Sequence, residues 1–327
     1  MTLPRESILS RHRIGALEPV WWLLALLVYF VFPKHLAIAS SVLIMAMFAL
    51  SFDVVLGYAG ILTLGNAVFF GVGAYAAAWI SIAGWHEAIT GAFAAAVVSA
   101  LAAGALGPFV LRLTGLPLIM VTLGIGVIFF EAANKAAWLT GGDDGLSNIV
   151  LSPLLGWFRW SLSGGTAYLY VLVWLGLLFA LIRRVMASPF GVALQGIREN
   201  ADRMRLIGAP VLRHLVVSYV ISAFVAGIAG ALWTQTNAFV GLGVFSLDRA
   251  IDGLVMLALG GVGGLYGGLI GAPVYMLLKH FSQEWNPHYW MFLIGGLLIF
   301  VVRLGRGGIL GVLGRVLSQW LGPRPVS

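Results

Sequence analysis

Long uninterrupted blocks of apolar residues, separated by short polar or charged clusters, constrain this chain more than any other feature. A spanning helix needs about 20 apolar residues to cross a hydrocarbon core of roughly 30 Å, and Leu36–Val55 is such a block, with Asp53 as its only charge. The chain is 61% hydrophobic and 9% charged, whereas soluble proteins are about 45–50% apolar and about 25% charged. The sequence therefore predicts an integral membrane protein and excludes a soluble enzyme.

The apolar blocks also decide the fold class. A membrane β-barrel would show segments of about 10 residues with alternating polarity, whereas these blocks are longer and apolar on both faces. We expect an all-α, polytopic bundle of about eight to ten transmembrane helices. The predicted spans are Val20–Phe32, Leu36–Val55, Asn66–Gly84, Ala88–Leu111, Leu116–Leu139, Thr166–Ile182, Leu215–Gln235 and His288–Val302, with the segment Ala250–Lys279 between the last two.

Charge bias predicts the orientation, because lysine and arginine accumulate in cytoplasmic loops. We expect both termini in the cytoplasm, with an N-terminal segment (1–19), a transmembrane domain (20–302) that contains a cytoplasmic loop (183–214), and a C-terminal tail (303–327). Lys34, Asp143, Asp144 and the loop Lys279–His288 are expected outside. The same bias accounts for the net charge of +7, so membrane lipid is expected as a partner and nucleic acid is not.

A glycine cluster predicts a break within Ala250–Lys279. Six of the nine residues Gly260–Gly268 are glycine, and each would cost a straight helix about 0.8–1 kcal/mol. The chain is expected outside both after Gln235 and at Lys279, so this segment must cross the membrane an even number of times. We therefore predict two short helices broken at the cluster and packed inside the bundle, with a re-entrant pair as one arrangement, because irregular backbone at that depth must contact protein or water.

The segment from Arg183 to His214 holds eight of the chain's 31 charged residues (19 basic and 12 acidic). Gly191–Ile207 has helical composition, and Gly208 supplies a stop. Glu199 precedes Arg203 by four residues, the favourable order for an ion pair along a helix. Since a loop that only fixes topology needs fewer charges, we favour a docking helix for a cytoplasmic partner.

Six blocks of sequence occur in the order and spacing of a known family, so that residues 36–314 resemble the LivM-type permeases of branched-chain amino acid ABC importers. The blocks are Leu56–Tyr75, Leu116–Leu123, Thr140–Leu146, Ile197–Ala209 with Ser218–Trp233, Leu259–Gly271 and Val302–Gly311.

This resemblance implies a five-part importer in the bacterial inner membrane: two homologous permeases, two cytoplasmic ATPases and an extracytoplasmic solute-binding protein. The chain has no G-x-x-x-x-G-K-[ST] motif, so its partners would hydrolyse ATP and the chain itself would bind no cofactor. Matched to the family's coupling segment, the residues implied to couple the permease to the ATPase are Arg198, Glu199, Asn200, Arg203 and Gly208. Arg203 and Met204 stand where the family usually has small residues.

Polar side chains within predicted spans are candidates for the translocation pathway, because such groups are costly in hydrocarbon. The candidates are Asn66, Thr122, Glu131 and Asn134. The neutral ones could equally bond neighbouring helices, and Glu131 could form an interfacial ion pair with Lys135. We interpret Asp53 as a solvated helix end.

Branched-chain amino acids are the predicted substrates, with urea, short amides or other organic acids as alternatives. A stand-alone secondary transporter or channel would need ion-coupling charges in mid-span, and none of the charges is predicted there. An enzyme is not expected either: His86-Glu87 lacks the second histidine of H-E-x-x-H, and the chain has no cysteine. Neither a catalytic residue nor a metal site is predicted.

Overall fold

The computed structural model describes residues 18–147, 149–153 and 164–285, with a few isolated positions beyond them. Residues 1–17, the C-terminal tail and most of the span predicted at His288–Val302 lie outside this description. The helices are α1 (Glu18–Val31), α2 (Leu36–Phe52), α3 (Asn66–Ile82), α4 (Ala88–Val110), α5 (Leu116–Lys135), α6 (Ala137–Thr140), α7 (Gly165–Met186), α8 (Pro189–Glu199), α9 (Ala201–Leu206), α10 (Val211–Asn237), α11 (Leu247–Gly260) and α12 (Tyr266–Trp285).

The predicted all-α, polytopic class is confirmed. Five helices in the described ranges are long and apolar enough to cross a membrane: α2 with its flanking turns, α4, α5, α7 and α10. Two shorter apolar helices, α1 and α3, accompany them. The described β-structure is one isolated bridge between Leu146 and Val240, which joins two connecting segments.

Helix α10 packs closely against α3 and α4 at the centre of the bundle. A Cβ atom on Gly230 would overlap the carbonyl oxygen of Phe70, and one on Gly73 would overlap the backbone of Gly227. Such backbone-to-backbone contact is the packing that small residues permit between membrane helices.

The helices alternate in direction, so the two ends of the bundle carry different loops. Gly107, late in α4, lies beside Tyr219, early in α10, and Tyr170, early in α7, donates to Gln235, late in α10, at 3.1 Å. One end therefore carries α8 and α9 with the arginines 112, 183 and 184; we name it the basic end. The other end carries Lys34, Asp143 and Asp144.

The glycine cluster interrupts the helical structure as predicted, between α11 and α12. The two helices form a hairpin whose turn, Gly261–Leu265, lies at the basic end and which we name the α11–α12 hairpin. A Cβ atom on Gly260 would overlap the carbonyl of Gly267, and one on Gly271 would overlap the carbonyl of Met256. The two helices thus touch through their backbones and pack closely together.

The prediction of a loop that begins at Lys279 is wrong, because α12 continues to Trp285. Lys279 lies on the helix and pairs with Asp252 of α11 at 2.8 Å. The pair neutralises both charges between two packed helices, so the lysine does not mark the end of the hydrophobic segment.

Candidate functional site

The single helix predicted over Gly191–Ile207 is two helices, α8 and α9, separated at Asn200. The backbone of Asn200 is extended (φ −159°, ψ 98°), and its Oδ1 accepts a hydrogen bond from the N–H of Arg203 at 2.9 Å. This N-cap satisfies a donor that the first turn of α9 would leave free. Asn200 itself indicates the break between α8 and α9, because asparagine favours helix caps over helix interiors.

The break also removes the predicted ion pair between Glu199 and Arg203. The chain changes direction between these two described residues, and no ion pair joins their side chains. Arg205 instead pairs with Asp202 at 3.0 Å, one turn of α9 apart and exposed. An exposed pair of this kind contributes only about 0.2–0.5 kcal/mol, so it does little to stabilise the segment.

Helix α9 ends in a Schellman motif at Gly208, which adopts the left-handed conformation (φ +85°). The N–H of Gly208 donates to the carbonyl of Arg205 and the N–H of Ala209 to that of Met204, both at 3.0 Å. The helix stop predicted at this glycine is confirmed. Glycine is favoured there by the left-handed backbone and not by close packing, since a Cβ atom there would meet nothing within 4 Å.

Two large apolar side chains beside this cap were missed from the sequence. Leu206 is 88% exposed and Ile207 is 71% exposed, although both lie beyond the apolar spans and next to the charged Arg203 and Arg205. Adjacent exposed apolar side chains with a polar rim are typical of a protein contact surface. The signal is the apolar pair itself, which stands beside charged residues at the end of the predicted helix Gly191–Ile207.

Arg198 bonds inward, toward the bundle. Its Nη1 donates to the carbonyl oxygen of Gly57, within a π-helical turn, Asp53–Tyr58, that continues α2. Its stem lies over Gly60, where a Cβ atom would come within 2.7 Å of the Cγ of Arg198. Arg198 therefore ties α8 to the end of α2.

The interpretation of Asp53 as a solvated helix end is wrong, since this residue is fully buried. Its Oδ1 accepts a hydrogen bond from the N–H of Gly263 at 2.6 Å and its Oδ2 one from the N–H of Leu265 at 2.7 Å. Both donors belong to the turn of the α11–α12 hairpin, which folds over the end of α2. The turn supplies the hydrogen bonds that a buried carboxylate requires.

Two predicted pathway residues, Asn66 and Thr122, are fully buried and link helices. Nδ2 of Asn66 donates to the hydroxyl of Ser51 at 3.2 Å and to that of Ser222 at 2.8 Å. Oγ1 of Thr122 accepts from the N–H of Leu64 at 3.3 Å. Both therefore take part in bonding between neighbouring segments, while a place in the pathway stays a prediction.

The other two, Glu131 and Asn134, lie on α5 near the end opposite the basic end. Glu131 and Lys135 are both exposed, and the structure holds no ion pair between these two side chains. Glu131 continues a stripe of exposed residues on α5 that includes Met120 and Val127. The same helix borders an apolar cavity of about 270 Å³ that also touches Leu64, Phe245 and Leu247. None of the four pathway candidates lines this cavity.

Interior charges on α11 were also missed. The guanidinium of Arg249 lies 4.5 Å from the ring centroid of Trp233 and 5.6 Å from that of Phe70, and Asp252 pairs with Lys279. The predicted segment began at Ala250, which left Arg249 in a loop. The sequence predicts no charge in mid-span, whereas these charged side chains lie between packed helices, where such groups are functional candidates.

The chain matches the family model described as the branched-chain amino acid transport system / permease component over residues 35–302. It is 30% identical to the high-affinity branched-chain amino acid transport system permease protein LivM of Salmonella typhimurium over 298 residues, which cover 84% of this chain and 69% of that protein. The protein of the same name from Escherichia coli is 29% identical with the same coverage. A probable LivM of Methanocaldococcus jannaschii is 24% identical over 144 residues, or 43% of this chain and 40% of that protein. No solved structure matches.

The matched residues, 35–302, begin at the start of α2 and include α8, α9 and the α11–α12 hairpin. The proteins of this family are described as permease components of a transport system. The described helices of this chain are those of a multi-pass membrane protein. The chain belongs to the permease family of branched-chain amino acid transport systems.

Proposed function

We propose that this chain is a permease subunit of an ATP-binding-cassette importer and that, with a second homologous permease, it forms the passage for branched-chain amino acids. Two cytoplasmic ATPases and an extracytoplasmic solute-binding protein complete the assembly. The similarity to two named LivM permeases over 84% of the chain carries the proposal. ATP is hydrolysed by the partner subunits.

The surface formed by α8 and α9 is where the ATPase docks in this proposal. Leu206 and Ile207 offer apolar contact area, and Arg203 and Arg205 surround it with positive charge. The Schellman motif at Gly208 fixes the geometry of this corner in advance, which lowers the entropy cost of binding. The basic end then faces the cytoplasm, in agreement with the charge bias.

The second permease covers the exposed stripe of α5 in this proposal. Met120 and Val127 alone would suit lipid, but Glu131 on the same stripe would carry a costly charge there. A partner permease can supply polar groups for Glu131 and the neighbouring Asn134. Asn66 and Thr122 then hold α3 and α5 in place as walls of the passage.

A second candidate function, a stand-alone secondary transporter, is favoured by one observation. Arg249, Asp252 and Lys279 place charges between packed helices, as ion-coupled transport requires. The alternative substrates for the importer are urea, short amides or other organic acids.

Reconstitution into proteoliposomes separates these functions. The assembled complex, with ATP on the ATPase side and the binding protein on the other, should accumulate radiolabelled leucine, isoleucine and valine. The purified chain alone should give neither ATP hydrolysis nor concentrative uptake. Uptake by the chain alone, driven by a proton or sodium gradient, would overturn the importer in favour of the secondary transporter.

A further inference from the structure

A chain of hydrogen bonds joins the surface helix α8 to the α11–α12 hairpin. Arg198 of α8 donates to the carbonyl of Gly57. Four residues earlier in the same π-helical turn, Asp53 accepts the N–H groups of Gly263 and Leu265 from the turn of the hairpin. Three segments that are far apart in the sequence therefore meet around one turn at the end of α2.

Glycines make room for this contact on both sides. A Cβ atom on Gly57 would overlap the carboxylate of Asp53 and lie 2.9 Å from the nitrogen of Gly263. On the other side, a Cβ atom on Gly263 would lie 3.1 Å from Nη1 of Arg198. Arg198 thus lies close to the hairpin turn as well as to the π-helical turn, and the side chains of Arg198 and Asp53 join the three segments.

The hairpin leads from this contact into the interior of the bundle. Helix α11 begins at Leu247 and ends at Gly260, beside the turn. With a rise of 1.5 Å per residue, about 16 Å separate Gly260 from Arg249. The backbones of α11 and α12 touch at Gly260 and Gly271, so the helix that carries Arg249 and Asp252 is packed closely against its partner in the hairpin.

We propose that Arg198 and Asp53 form a clamp that makes the α11–α12 hairpin move together with α8. A movement of α8 at the surface then changes the position of the interior charges on α11. The inference rests on the proposed function for the source of the movement, the ATPases. Arg198 and Asp53 are positioning residues, because they act through Gly57 and the hairpin turn and not on the transported solute.

Paired spin labels test the clamp on this cysteine-free chain. Cysteines at the exposed positions Val192 on α8 and Ile251 on α11 report the distance between the two elements by pulsed electron paramagnetic resonance. In the wild-type complex the distance distribution should be narrow and equal with and without bound ATP. In Arg198→Gln and Asp53→Asn it should broaden, and uptake per ATP hydrolysed should fall about tenfold, within the usual range of coupling between sites.

Arg112→Gln is the matched control, since it removes an exposed arginine at the same end of the bundle, between α4 and α5, and leaves the clamp intact. It should keep the wild-type distance and the wild-type uptake per ATP. Arg198→Lys keeps the charge and a donor and should recover part of both readouts, which a general loss of stability would not produce. If Asp53→Asn does not accumulate in the membrane, the part-exposed Arg198→Gln variant decides the result.

The outcomes separate the clamp from the proposed function. Wild-type distances and coupling in Arg198→Gln, in a complex that transports amino acids, would overturn the clamp alone. A distance that differs between nucleotide states in the wild type would also overturn it, because the two elements would then move separately. A wild-type chain that assembles with no ATPase would refute the importer, while broadening in the Arg198→Gln chain by itself would still support the clamp.

Discussion

Oδ1 of Asp53 accepts a hydrogen bond from the backbone N–H of Gly263 at 2.6 Å, across 210 residues of sequence. Together with the bond to Leu265 it holds a turn in which Leu265 has a φ of +56°, a conformation rare for a branched side chain. The carboxylate therefore stabilises both the end of α2 and the shape of the hairpin turn.

Asp53→Asn should lower the free energy of unfolding by about 2 kcal/mol, because an amide can accept only one of the two N–H bonds and leaves a buried donor unsatisfied. Thermal unfolding of the purified chain in detergent measures the effect. Asp202→Asn, on the exposed surface of α9, is the control and should change stability by less than about 0.5 kcal/mol. Equal stability of the two variants would contradict the role given to Asp53.

Glycines within the bundle should differ sharply in their tolerance of a methyl group. Gly230→Ala places a Cβ atom on the carbonyl of Phe70, so α10 and α3 must separate. The free energy of unfolding should fall by about 1–3 kcal/mol. Gly124→Ala on α5 meets nothing within 4 Å and should be neutral or stabilising by up to about 1 kcal/mol. Melting temperatures of the two variants, measured side by side, check this contrast. A stable Gly230→Ala chain would mean that α3 and α10 do not pack through their backbones.

The sequence predicted elements that depend on local pattern and on the membrane. The apolar spans follow from length and hydropathy, and the break between α11 and α12 follows from glycine content and the parity of crossings. These signals lie within a few residues of the feature that they predict. For the same reason Gly208 was recognised as a stop: a left-handed glycine after a helix is a local motif.

Long-range contacts were not predictable in the same way. The burial of Asp53 depends on a turn 210 residues later, and its position near the end of a span favoured a solvated interpretation. Arg249 sits in the interior because the chain re-enters the bundle through the turn Leu242–Phe245, where Phe245 stacks on Tyr75 at 5.5 Å. No local pattern marks such a re-entry, so the depth of its charges was missed.

Labelling from the two sides of the membrane should give opposite results at the two ends of the bundle. Arg112→Cys, exposed at the basic end between α4 and α5, should react with an impermeant maleimide only when the cytoplasmic face is open, because positive loops stay in the cytoplasm. Asp143→Cys, exposed at the other end, should react in intact spheroplasts. Reaction of both cysteines from the same face would refute the orientation.

Gly208→Val should weaken the docking of the ATPase without preventing insertion of the chain. A β-branched residue in the left-handed conformation costs roughly 1–2 kcal/mol, so the Schellman motif opens and Leu206 and Ile207 lose their fixed position. Since a Cβ atom at Gly208 meets nothing within 4 Å, the effect comes from the backbone and not from a clash. Copurification of the ATPase and substrate-stimulated ATP hydrolysis in proteoliposomes should fall together.

Gly208→Asn is the matched control for Gly208→Val, because asparagine tolerates the left-handed conformation. It should retain most ATPase docking at equal membrane abundance, although its side chain is larger than that of glycine. Glu199→Lys adds a test of charge alone: with no ion pair to Arg203 to lose, it should act only by reversing the sign presented to the ATPase. Wild-type docking and uptake in both Gly208→Val and Glu199→Lys would mean that α8 and α9 form a loop that fixes topology and do not couple hydrolysis to transport.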